Sequence, residues 1–365
     1  MVSRNIGWLI AAAGLPLAVF GGGVPRTTPL PRDPLEIVTG QIRAVKESAG
    51  RTKVDRLLGH ARNSYALRGA GRGYDLKVTF TVNSGRQTKY DGVWEMEDVY
   101  DPTYGLRWTA KYADSYAITR IASKGKLYGE ETGAYIPLRL QEARAALFDP
   151  IASSREVSRA SMRTSTAILH GAPLTCVLLS GAGKTAAAAP TRRWDESEDC
   201  IDPQSGLLQT HSQVPGRYFA YDYTDAPSLA GHLLPRKVTV TEGGKMVTEI
   251  TVDSLKQLST TDPSLFVPTE AMKERGRPIV MAGAQRFLRV YGRSPTAPNA
   301  PPHAVCVFGV LTPSGQLEEA HSLQPSDPDS AVAMEAAKQI SFPPPPPFGP
   351  QPQQHFVFVI EKFGP

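Results

Sequence analysis

The residues able to do chemistry in this chain are scattered rather than grouped. Residues 180–185 read SGAGKT after an apolar run, which invites a phosphate-cradling loop. Such a loop needs a glycine five residues before the glycine of GKT, so that its amides turn inward. Leu178 stands there, and Pro190 follows too soon for a long helix, so the stretch reads as a Gly/Ala loop. His60, His170, His211, His232, His303, His321 and His355 occur singly, with no H-E-x-x-H pair and no close His/Cys spacing that would hold a metal. No G-x-S-x-G elbow presents a serine nucleophile. Residues 195–199, DESED, could chelate a cation but read first as a solvated acidic loop. Trp94, Trp108 and Trp194 read as core or rim packing. The chain is therefore expected to be non-enzymatic, with no cofactor and no dedicated metal.

Three cysteines complete the inventory. Cys176 and Cys200 lie near the ends of two segments, TCVLLS and CIDPQSGLLQTHS, that could be antiparallel neighbours. In an oxidising compartment they are disulfide candidates, the alternative being two buried, unpaired thiols. Cys306, inside AVCVFGVL, reads as a small core residue.

The frame that must position these residues begins with an export segment. Arg4 precedes an uncharged, mostly apolar run, residues 6–20, and Gly21, Gly22 and Gly23 supply small residues for a signal peptidase. The run is short for a membrane helix and contains Pro16, so a cleaved signal is one reading and a retained anchor associated with the membrane the other. Either places the chain in the periplasm or cell envelope. A length of 365 residues predicts two domains. Hydrophobic residues at 41% and charged residues at 21% describe a globular chain rather than a disordered or membrane-embedded one. The net charge of +5 and pI near 9.0 are mild, and no Lys/Arg stripe interleaved with aromatics marks a nucleic-acid surface.

Residues 24–33 form a Pro-rich tether. Leu35, Val38, Ile42 and Val45 fall three or four apart and predict one or two helices over residues 34–59. From residue 74 to about residue 258 the signal is strand. YDLKVTFTV alternates Leu76, Val78, Phe80 and Val82 against polar neighbours. Further strands are predicted at residues 90–100, 105–112, 115–123, 165–170, 174–180, 206–213, 218–223, 234–241 and 246–258, with a short amphipathic helix over 139–147. Glu242-Gly243-Gly244 is a hairpin signal. Successive strands on short connections predict an antiparallel curved sheet or half-barrel with a few helices against one side.

Residues 293–302 (RSPTAPNAPP) read as a second linker. Beyond it, residues 304–311 and 316–323 predict two strands joined by a Pro-Ser-Gly turn. Residues 329–340 predict a helix with Val332, Ala333, Ala336, Ala337 and Ile340 on one face, and residues 354–363 a last strand. The expected fold class is α+β. Residues 1–23 are signal or anchor, 24–33 tether, 34–270 the curved β-rich domain, 271–302 a linker region and 303–365 a small ββαβ domain.

The last of these resembles the TonB C-terminal domain family, through VCVFGVLTPSGQLEEAHSL, AVAMEAAKQISFP, the Gly349-Pro350 step and HFVFVIEKF in order. It departs from the family at Ile340, where a Trp is usual, and in the proline run 343–347. The resemblance implies strand addition at the sheet edge, with Gln354, Phe356, Phe358, Ile360 and Lys362 as the partner-binding edge strand. The implied partner is a protein or peptide, such as an outer-membrane receptor, in TonB-linked transmembrane transport. Residues 34–270 are more loosely similar to LolA/LolB-like carriers, through strand density and the step DPQSGLLQT. That likeness implies the alternative function: a lipid or lipoprotein carrier with an acyl-chain ligand in a hydrophobic groove of the middle sheet.

Overall fold

The computed structural model describes residues 42–45, 48–85, 88–169, 171–181, 191–274, 286–293, 301–344 and 352–364. The export segment, the tether, and all of the SGAGKT stretch beyond Gly181 lie outside them. The strands are β1 (Arg43–Ala44), β2 (Tyr74–Val82), β3 (Gly92–Asp101), β4 (Gly105–Tyr112), β5 (Tyr116–Ser123), β6 (Lys126–Glu131), β7 (Ser161–Leu169), β8 (Ala172–Ser180), β9 (Ser197–Ile201), β10 (Leu208–Val214), β11 (Arg217–Asp222), β12 (Ser228–Leu229), β13 (His232–Leu233), β14 (Lys237–Glu242), β15 (Lys245–Gln257), β16 (Arg286–Arg293), β17 (His303–Leu311), β18 (Leu317–Ser322) and β19 (His355–Phe363). The helices are α1 (Ser48–Ser64), α2 (Leu138–Phe148), α3 (Ser154–Arg159), α4 (Glu270–Glu274) and α5 (Ser330–Lys338).

Thirteen strands form one antiparallel sheet in the order β1-β7-β8-β9-β10-β11-β14-β15-β2-β3-β4-β5-β6. Laid flat at about 4.8 Å per strand it would be nearly 60 Å wide. Yet Met162 of β7, Phe219 of β11, Phe80 of β2 and Ile118 of β5 share one core cluster. The sheet therefore curls around its inner face, as accumulated strand twist requires, and it remains open, since β1 and β6 are its two ends. β2 shows why the sequence was readable: its burial alternates residue by residue, with Tyr74, Leu76, Val78, Phe80 and Val82 inward.

α1 departs from expectation. Arg43 and Ala44 pair with Thr164 and Arg163 of β7, so Ile42 and Val45 flank a strand rather than lie on a helix. The helix starts at Ser48 and buries Val54, Leu58 and Ala61, a narrow stripe of spacing four and three. α3 opens with a capping box, in which the Ser153 hydroxyl accepts from Glu156 N–H and the Glu156 carboxylate accepts from Ser153 N–H.

The C-terminal unit contains β17, β18, α5 and β19 in the expected order, but its sheet runs β16-β19-β17-β18. This overturns the edge-strand expectation. β19 pairs in parallel with β16, from Arg286↔Phe356 to Arg293↔Phe363, and antiparallel with β17, from His303↔Phe363 to Leu311↔His355. A guest strand needs a row of unpaired amides and carbonyls, and β19 is flanked on both sides. The strand responsible, β16, comes from the stretch read as linker. Its partner is reached across the whole unit, so no local turn signal announces the pairing.

Both faces of this small sheet are covered. Val357, Val359 and Phe363 pack with Ala333 and Ala337 of α5. Phe356, Phe358 and Ile360 pack with Leu138 of α2 and Val214 of β10, on the large sheet's side. Two hairpin tips set how closely the units approach. Gly216 (φ +85°) and Gly243 (φ +57°) lie so near the end of β18 that a Cβ would sit 2.6 Å from Leu323 O and 2.3 Å from Ser322 O respectively. Only glycine fits either place.

A candidate ligand-binding interior

The inner face of the curl is apolar and aromatic. Cross-strand partners share a face, and the registers Phe80↔Trp94, Val78↔Met96, Ile250↔Phe80 and Val238↔Tyr221 build the lining strand by strand. One part is an aromatic nest. Trp94 stacks on Phe80 at 5.4 Å and on Tyr112 at 5.1 Å, and Tyr90 meets Tyr116 and Tyr135 edge-on. Trp94 Nε1 donates to Tyr90 O at 3.0 Å. Two donors on the same inner face are different, Tyr116 within the nest and Trp108 farther along β4 against Arg144. Trp108 Nε1 and the Tyr116 hydroxyl have no hydrogen-bond partner among the described residues, although each residue is 1% exposed. A buried polar group left unpaired costs about 1–3 kcal/mol, so these two positions stand out within the lining.

Farther round the curl the lining turns polar. Tyr65 and Tyr223 hydroxyls contact one another, and Tyr223 donates to Leu208 O at 2.8 Å. His211 Nδ1 lies 2.7 Å from Asp199 Oδ1 across β9 and β10. Burial pushes the Tyr65, Tyr116 and Tyr221 hydroxyls far above the usual tyrosine range, which keeps them protonated as donors.

Two helices cover this face. α2 buries eight of its eleven residues, whereas α1 buries three of seventeen. That contrast makes α1 the more easily displaced cover. α2 is fixed on its other side by the C-terminal unit. Gln354 Oε1 accepts from Leu138 N–H at 2.7 Å, doing for the helix start what Pro137 cannot, and Gln141 Nε2 donates to Gln354 O at 3.2 Å.

At this junction five charges are buried together. Arg139 donates to both oxygens of Glu242 at 2.7 and 3.2 Å and to Glu319 at 2.7 Å. Arg217 donates to Glu242 at 2.9 Å and to both oxygens of Glu142 at 2.9 Å. Burial alone would raise the Glu242 carboxyl, but Arg139 and then Arg217 outweigh it and hold the group down at about 2. Glu319 is likewise lowered, by Arg139 against its burial.

The acidic run 195–199 is not a solvated loop. Glu196 meets Arg163 at 2.5 and 2.7 Å, Glu198 meets Arg192 at 3.1 Å and Asp199 meets His211, all three carboxylates being buried. Their partners lie 6 to 33 residues away, beyond local patterning. Cys176 and Cys200 face each other across β8 and β9 and form a disulfide. Among the expected edge residues, Gln354, Phe356, Phe358 and Ile360 are buried at the junction and Lys362 is exposed. Trp108 and Tyr116 were missed as site residues. Their alternation shows them inward, but nothing in sequence shows a missing partner.

No family model and no curated protein matches this chain. Among solved structures it is similar to a LolA superfamily protein from Nitrosomonas europaea, at 9% identity over 58% of this chain and 96% of that one, with a TM-score of 0.37. It is also similar to a DUF1329 family protein from Desulfovibrio piger, at 7% identity over 60% and 98%, with a TM-score of 0.36. A domain named for outer membrane lipoprotein sorting in Vibrio parahaemolyticus gives 9% over 57% and 94%, with a TM-score of 0.34. Likenesses this distant carry no functional argument, and the chain's own geometry must supply it.

Proposed function

We propose that this chain is a non-enzymatic periplasmic carrier that holds the acyl chain of a lipid or lipoprotein in the curl of its large sheet. The observation that supports this most is the pair of partnerless donors, Trp108 Nε1 and Tyr116 hydroxyl, set in an aromatic lining. An apolar lining with a few polar groups set in it suits an amphiphile: the lining takes the hydrocarbon, and a donor takes an ester or carboxyl oxygen. α1, attached by a narrow stripe, is the element that lifts to admit the chain. The Cys176–Cys200 disulfide suits an oxidising compartment such as the periplasm. The docking role expected for the tail is withdrawn, because β19 presents no edge.

The test is native mass spectrometry of protein purified from the cell envelope, followed by displacement of a fluorescent fatty acid from delipidated protein. A co-purifying acyl species, and an affinity reduced about tenfold in Tyr116→Phe through loss of one hydrogen bond, support the reading. If delipidated protein binds neither the fatty acid nor a diacyl lipid, the reading is wrong.

A further inference from the structure

The C-terminal unit brings together three groups that no sequence spacing links. His303 opens β17, while Asp327 and Asp329 lie in the connection from β18 to α5. His303 Nε2 is 3.0 Å from Asp329 Oδ2 and 3.4 Å from Asp327 Oδ1, and the three side chains are 6%, 1% and 2% exposed. We propose that these residues form a binding site for one first-row divalent cation, Zn²⁺ foremost, independent of the carrier interior.

Three observations point the same way. His303 Nδ1 lies 3.0 Å from Pro301 O. A carbonyl only accepts, so that nitrogen carries a proton, which leaves Nε2 as the atom free to bind a metal. Metal-bound histidines characteristically donate their other N–H in this manner. Next, Nε2 and Asp327 Oδ2 have no hydrogen-bond partner among the described residues, despite the carboxylates beside the ring. Finally, the spacings fit a shared ion. Ligands bound at 2.0–2.1 Å stand about 2.9 Å apart at right angles and about 3.4 Å apart in a tetrahedron.

The donor set fixes the chemistry. Two carboxylates and an imidazole meet in a buried site, and a divalent cation held by all three would offset the acidic pair. Imidazole with carboxylate suits zinc and its neighbours rather than calcium or magnesium, which take oxygen alone. Phe363 stacks on the imidazole at 5.2 Å and fixes the ring plane. The bound ion would tie the start of β17 to the start of α5.

Tag-free full-length protein, stripped with chelator and titrated with zinc, is expected to bind one equivalent per chain. His303→Gln and Asp329→Asn should each weaken binding by more than the 10–100-fold typical of losing an outer-shell partner. His60→Gln, on the exposed face of α1, should leave it unchanged. Failure of the wild type to bind zinc, or unchanged binding in folded His303→Gln, overturns the proposal; the first outcome leaves an imidazolium between two carboxylates. Zinc X-ray absorption on the wild type needs no variant. One imidazole with otherwise oxygen neighbours at 2.0–2.1 Å supports the site, whereas sulfur or several imidazoles overturn it.

Discussion

Replacing Glu242 by Gln tests whether the buried charges at the junction hold the two sheets together. Glu242 accepts three hydrogen bonds, two from Arg139 and one from Arg217. Its carboxyl falls from 4.5 to about 2 on folding, and at about 1.4 kcal/mol per tenfold this makes the charge worth roughly 3 kcal/mol at neutral pH. Breaking buried pairs elsewhere costs a similar 3–5 kcal/mol. The sign follows from the direction of the shift. A carboxylate with a depressed folded value contributes above its unfolded value of 4.5 and loses that contribution as pH falls toward 2. Urea unfolding at pH 7 should therefore show Glu242→Gln less stable by about 3 kcal/mol, and at pH 3 by only about 1.4 kcal/mol. Because Glu319 of β18 shares Arg139, the variant should also separate unfolding of the C-terminal unit from that of the large sheet. A loss below about 1 kcal/mol, or one equal at both pH values, would refute the reasoning.

Three other outcomes follow from the same geometry. Burial holds the His355 imidazole down from 6.5 to about 4, so the unfolded chain takes up its proton first; stability should fall as pH drops from 6.5 to 4, and His355→Gln should remove that limb of the unfolding profile. Cys176→Ser with Cys200→Ser opens a loop of sequence separation 24, and chain entropy puts the loss near 3.5 kcal/mol, read as the same lowering of the urea midpoint that reductant produces in the wild type. Amide exchange should be faster in α1 than in α2, since α1 buries three of its seventeen residues and α2 eight of its eleven; equal protection would remove α1 as the proposed moving cover.

What the sequence revealed and what it hid divide by range. Alternation placed β2 because a strand buried on one face writes its burial into every second residue. It failed at β9, where Glu198 and Asp199 look solvated until Arg192 and His211 are folded against them. It failed at β1, where pairing with β7 overrides the helical spacing of Ile42 and Val45. Of the interior, the aromatic content was legible. The absence of partners for Trp108 and Tyr116 was not, because an unsatisfied bond is a property of the assembled surroundings.

The same limit explains the misplaced role of the tail. Strand alternation splits β19 into two faces, with Phe356, Phe358 and Ile360 opposite Val357 and Val359. Which face is covered depends on α2 as well as α5, and which edge is open depends on β16; α2 and β16 are both remote from β19 in sequence. Once β16 occupies the edge and Phe356, Phe358 and Ile360 meet α2, burial of those side chains is worth about 1.5–3 kcal/mol each. A peptide seeking β19 would have to displace both β16 and that apolar contact. The small sheet is thereby a buttress. It presses α2, through Gln354 and the Arg139–Glu242–Glu319 network, against the inner face. With α2 held in this way, the proposed carrier role assigns the opening movement to α1.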